Sequence, residues 1–151
     1  MMIRIVVAGI VGTIVSMVAG FLVWGMLLSS YMQSTLTPAA KAVLSEQPRM
    51  LPFIVAQLGF GFFYAFVLER WAGARSAVSG LFAGAILGFF YALITNLMND
   101  AFFINMHIGA NTPPMIVDIA AGTVVGGIIG AAEGLVLGMM SKGAAATAAE
   151  A

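Results

Sequence analysis

Few side chains in this 151-residue chain can do chemistry. It has no cysteine and one histidine, His107. Thiol chemistry, disulfides and Cys-ligated metal or iron–sulfur sites are therefore excluded. The most informative group is Glu133, which lies inside an apolar run from about Pro114 to Met140. An ionisable group at such depth costs a few kcal/mol on insertion scales, and it normally faces a bundle interior with a partner. From Gly126 to Glu133 a helix turns through a net angle of only about 20°, which aims the carboxyl along the glycine-bearing face of its helix. Tyr64, Thr13 and Ser16 fall at comparable depth on neighbouring helices and are its candidate hydrogen-bond partners. Three readings stay open: a structural hydrogen-bonding group, a carboxyl that carries protons or cations, and a side chain reaching for the inner surface.

Asp118 lies near the outer end of the same helix, about 40° round from Gly122. It suits the positive end of a helix. With Asp100 and His107 it also forms a weak outer-face metal candidate, without tight spacing and without a second histidine, so no metal or other cofactor is expected. The 11 methionines form no compact cluster of the Met-x-x-Met kind and read as gap fillers rather than copper ligands. Walker A, nucleophile-elbow and His-Glu-x-x-His patterns are absent.

The elements that hold these groups follow from composition. Hydrophobic residues make up 62% of the chain and charged residues 8%, whereas soluble domains carry about 25% charged residues. Six basic and six acidic residues give zero net charge, which removes the electrostatic footprint of a nucleic-acid binder. A membrane helix needs about 20 apolar residues. Four runs qualify, over about 5–31, 51–69, 76–98 and 114–140. The fold expected is an all-α integral membrane four-helix bundle, a single domain over 1–142. A flexible tail follows at 143–151, and a short surface helix at about 37–45 starts from Thr37 and Pro38. The apolar run after Arg4 continues without a small-residue cleavage site, so an uncleaved first span is expected. Arg4, Arg70, Arg75 and Lys142 fall on one side and Lys41 and Arg49 on the other, which puts both termini in the cytoplasm.

Small residues recur every four positions. Gly122, Gly126, Gly130, Gly134 and Gly138 mark the fourth run; Gly80, Gly84, Gly88 and Ala92 the third; Ala8, Gly12, Ser16 and Gly20 the first. Such strips let helix backbones approach closely in lipid, as in a glycine zipper. They serve either the inside of one chain or contact with a second copy or another subunit.

The second run ends Leu68-Glu69-Arg70-Trp71, but Ala72, Gly73, Ala74 and Arg75 depart from the pattern of four-span glutathione-handling enzymes. Small proton-coupled multidrug transporters place their acid in the first helix, where this chain has none. The segments Gly20–Leu28, Leu68–Gly73 and Gly80–Phe89, with Asn96-Leu97-Met98 and Asp118 before the glycine strip, resemble a group of uncharacterised bacterial four-span inner-membrane proteins. The resemblance implies a bacterial inner (plasma) membrane location and no activity.

The function expected first is non-catalytic: a structural or accessory subunit, surrounded by lipid, that packs through its glycine strips into a homo-oligomer or a larger membrane complex. The alternative is a small oligomeric transporter or channel that uses Glu133, with Asp118 at its outer entry. A lipid-modifying enzyme using Asp118, His107 and Asp100 ranks below both, because general acid–base work needs convergent groups.

Overall fold

The computed structural model describes residues 2–43, 49–102 and 113–149. Among them are six α-helices and no strand: α1 (Met2–Gly20), α2 (Ser29–Thr35), α3 (Pro38–Val43), α4 (Met50–Val67), α5 (Ala77–Phe102) and α6 (Pro113–Ala149). Two helices widen into π-helix at their C-terminal ends, α1 over Phe21–Leu27 and α4 over Leu68–Ala72. Four stretches are long and apolar enough to cross a membrane: Met2–Leu27, Met50–Ala72, Ala77–Phe102 and Pro113–Gly143. Helical backbone continues to Ala149, into the Ala-rich segment expected to be a tail.

The helix ends follow local chemistry. Thr37 Oγ1 accepts the Ala40 N–H at 3.1 Å, and Pro38 stands at the first helical position of α3, where a missing N–H costs nothing. Residues 44 and 45 of the expected surface helix lie outside the described residues. Pro52, Pro113 and Pro114 all occupy first turns, where N–H groups have no helical partner. Gly73 closes the π turn after α4 with φ 59°, a left-handed conformation that costs glycine nothing, and the N–H groups of Gly73 and Ala74 both donate to Leu68 O. Ser76 and Ser79 then cap α5 reciprocally, each hydroxyl accepting the other's backbone N–H at 3.1 Å.

The long helices pack antiparallel in the order α4, α1, α6, α5. Between α5 and α6 the spacing is set by missing side chains. A Cβ added at Gly84 would lie 2.7 Å from Gly130 Cα, one at Gly88 would lie 3.0 Å from Gly126 Cα, and one at Gly134 would lie 2.9 Å from Gly80 Cα. At the two ends, Ala92 Cβ sits over Gly122 and Arg75 O sits over Gly138. The small-residue strips of α5 and α6 thus meet each other within the chain. On α1, Gly9 faces Phe62 of α4 and Gly12 faces α6, while Gly20 has only Trp24 nearby. By contrast, α4 and α5 share no extended interface. They meet through the rings of Phe60 and Tyr91, 5.1 Å apart, and through the Tyr64 hydroxyl, which donates to Gly84 O at 3.4 Å.

Burial is inverted relative to a water-soluble bundle. The buried face of α1 is Ala8, Gly9, Gly12, Thr13, Ser16 and Ala19, whereas Ile10, Ile14 and Val18 point outward. The same holds on α5, where Gly80, Gly84, Gly88 and Ala92 are inside and Ile86, Phe90 and Ile94 outside. In water so much outward apolar surface would drive association.

Candidate functional site

Two polar clusters mark the ends of the bundle. At one end Arg4 Nη1 donates to Ser141 Oγ at 3.0 Å and lies 3.6 Å from Glu69 Oε1, while Arg75 Nη1 lies 2.8 Å from Glu69 Oε2. Glu69, on the π turn after α4, is only 7% exposed. It therefore ties together α1, α4 and the start of α5, and through Arg4 it reaches α6. At the other end Asp118 of α6 accepts from Trp24 Nε1 at 2.6 Å and from Asn96 Nδ2 at 2.7 Å. From Asp118 to Ser141 the helix rises about 35 Å at ~1.5 Å per residue, close to the ~30 Å hydrocarbon thickness of a bilayer.

Glu69→Gln keeps the shape of the side chain and removes its charge, leaving Arg4 and Arg75 without their counter-ion. Losing such a charge-assisted contact is worth about 1–3 kcal/mol. A correspondingly earlier thermal transition of the detergent-solubilised protein is expected. An unchanged melt would mean that the cluster contributes nothing to holding the helices together.

Between these ends lies Glu133. Its side chain is fully buried, and neither carboxyl oxygen has a hydrogen-bond partner among the described residues. Its Oε1, Cδ and Cγ fill the volume that a Cβ on Gly12 would need, so the carboxyl rests on the bare backbone of α1. It does not point along the glycine strip. That strip winds by about 40° per four residues, so at the level of Gly130 and Gly134 it has turned some 60–100° away from Glu133. The angle taken from Gly126 misses this drift: the strip faces α5 and the carboxyl faces α1.

The expected partners are engaged elsewhere. Thr13 Oγ1 donates to Gly9 O at 2.8 Å. Ser16 Oγ contacts Thr13 O at 2.8 Å and Gln57 Oε1 at 2.7 Å, which places it with α4 rather than with Glu133. Tyr64 is fully buried, lies within electrostatic reach of Glu133 and donates to Gly84 O. A Cβ on Gly126 would lie 2.8 Å from its hydroxyl oxygen, so the ring reaches across the bundle from α4 to α6.

Above Tyr64, where α4 and α5 diverge, a cleft of about 410 Å³ opens. Ser16, Gln57, Thr95 and Asp118 line it, together with the rings of Phe21, Trp24, Phe53, Phe60 and Tyr91. Phe21 and Trp24, both on the π-helical end of α1, stand on its wall.

The outer-face metal candidates are not brought together. Both oxygens of Asp118 accept from neutral donors. Asp100 is exposed at the end of α5, and His107 lies outside the described residues. Among the described residues no three His, Cys, Asp or Glu side chains are grouped as metal ligands. Sequence reasoning missed Gln57, an amide in the middle of an apolar run, and the joining of Trp24 and Asn96 on Asp118. An amide within a span was the legible signal for the first. For the second, only the antiparallel register of α1, α5 and α6 could reveal it.

These features define an all-α protein with four helices long and apolar enough to cross a bilayer, compatible with a small integral membrane protein. Comparison with protein-family models, curated proteins and solved structures finds no match to this chain.

Proposed function

We propose that this chain is a four-span protein of a bacterial inner membrane, with both termini cytoplasmic, and that it carries a proton or a cation through a bundle held by a glycine zipper. Glu133 is the exchange group. One observation carries this reading: Glu133 is fully buried and both of its carboxyl oxygens lack a hydrogen-bond partner. A buried polar group is normally bonded, so an exception needs an explanation, and exchange of a proton or binding of a cation supplies one within a membrane span. Asp118 stands on the cleft above it and the Glu69 cluster stands below, so polar groups recur along the bundle on either side of the carboxyl.

The accessory-subunit reading rests on the lack of a catalytic constellation, on short polar loops and on strips of small residues left over for a partner. Of these, the strips of α5 and α6 lie against each other and Gly12 of α1 lies against Glu133, so the strips do not favour it over exchange at Glu133. A lipid-modifying enzyme built on Asp118, His107 and Asp100 gains none either, because Asp118 is held by Trp24 and Asn96 while Asp100 is exposed.

Purified protein in lipid vesicles is expected to support a pH-dependent flux of protons or of a monovalent cation. Glu133→Gln keeps the shape and removes the titrating group, and it is expected to lower the flux at least tenfold with the helical content intact. A variant that still conducts like the parent would remove Glu133 from the mechanism.

A further inference from the structure

The cleft between α4 and α5 is distinct from the Glu133 niche. It lies on the other side of Tyr64 and is bounded by α1 and α6 behind and by α4 and α5 at its sides. Its volume of about 410 Å³ falls within the roughly 300–1,000 Å³ of sites that hold small organic molecules.

Most of the wall is aromatic or aliphatic, with one formal charge. Asp118 supplies that charge. Its two contacts, Trp24 Nε1 at 2.6 Å and Asn96 Nδ2 at 2.7 Å, come from neutral donors. These fix the carboxylate in place and leave its negative charge uncancelled, and among the described residues Asp118 forms no ion pair. A carboxylate has about four lone-pair positions, so two neutral donors leave room for a further partner. Deeper in the cleft Ser16 Oγ and Gln57 Oε1 are bonded to each other at 2.7 Å, and neither carries a formal charge.

The ring that donates to Asp118 is itself part of the wall, and Tyr91 and Phe60 stand opposite in edge-to-face contact. A cation beside Asp118 therefore meets an opposite charge in a wall otherwise built of aromatic and aliphatic side chains. A neutral apolar guest would gain only the walls. An anion would be repelled.

We propose that this cleft binds a lipophilic organic cation, with its positive centre at Asp118 and its apolar body among Phe53, Phe60 and Tyr91. The inference goes beyond the reading of Glu133 and does not depend on it, because the measurement that tests it is equilibrium binding without flux.

The probes are tetraphenylphosphonium and tetraphenylborate, ions of nearly the same shape and opposite charge. Each is dialysed to equilibrium against the full chain in detergent micelles and against protein-free micelles. The expected result is saturable binding of the phosphonium, at least tenfold tighter than that of the borate. Asp118→Asn is expected to weaken phosphonium binding at least tenfold and to tighten, not weaken, that of the borate. Should the variant fail to fold, the comparison of the two ions on the parent protein still decides. Equal binding of both ions would identify a slot for acyl chains and overturn the proposal, as would no saturable binding of the cation. Phosphonium binding undiminished in a folded Asp118→Asn protein would overturn it as well.

Discussion

Gly126→Leu is expected to abolish the folded bundle. A Cβ at Gly126 would stand 2.6 Å from Gly84 O, 2.7 Å from Gly88 Cα and 2.8 Å from the Tyr64 hydroxyl. Two of these three obstacles are backbone, which cannot rotate aside as a side chain can. Overpacking a core usually costs 1–3 kcal/mol. With backbone on the far side the cost here should reach at least about 3 kcal/mol, and α5 must separate from α6. Solubilised variant protein should elute as aggregate and lose helical ellipticity on mild heating. Val124→Leu, two positions earlier on the exposed face, is the matched control and should stay within about 0.5 kcal/mol of the parent. A Gly126→Leu protein that remains a folded monomer and loses only a larger assembly would show that the strip faces another subunit.

Glu133→Met should act in the opposite direction on stability. Leaving a buried polar group unbonded costs about 1–3 kcal/mol, and methionine is flexible enough to fill the same niche over Gly12. The variant is expected to melt later than the parent by a corresponding margin while losing the flux assigned to Glu133. Together with Glu133→Gln it separates the open readings of this residue. A structural hydrogen-bonding group would make the methionine variant less stable and leave Glu133→Gln, which keeps an acceptor and gains donors, close to the parent. An exchange group makes the methionine variant more stable and both variants inactive. Lower stability of Glu133→Met, with flux retained in Glu133→Gln, would return Glu133 to a structural role.

The helices were largely legible because their signals are local. Charge-free runs, Thr37 before Pro38 and prolines in first turns all act within a few residues. The four-residue spacing of glycines on α5 and α6 was equally plain, but which helix each strip faces depends on register, and register is long-range. Glu133 illustrates the boundary. Its burial could be read from position along the run. Its direction could not be read from Gly126, because the strip turns between Gly126 and Gly134 and the carboxyl stays behind, facing Gly12. Ser16 lay at plausible depth for the same carboxyl, yet Gln57 on α4 takes its hydroxyl. The cleft was invisible for a related reason: it exists because α4 and α5 diverge, and no single segment encodes a divergence.

The unequal joints between helices also make the molecule's compliance directional. Two rods in backbone-to-backbone contact have no rotamers to relax and behave as one stiff plank. The rod on the opposite flank leans mainly on α1 and meets the plank at fewer points, through Tyr64, through Phe60 against Tyr91, and through Glu69 at the π-helical end. Thermal motion is therefore expected to concentrate where α4 meets α5, beside the hollow at Asp118, and least along the glycine seam.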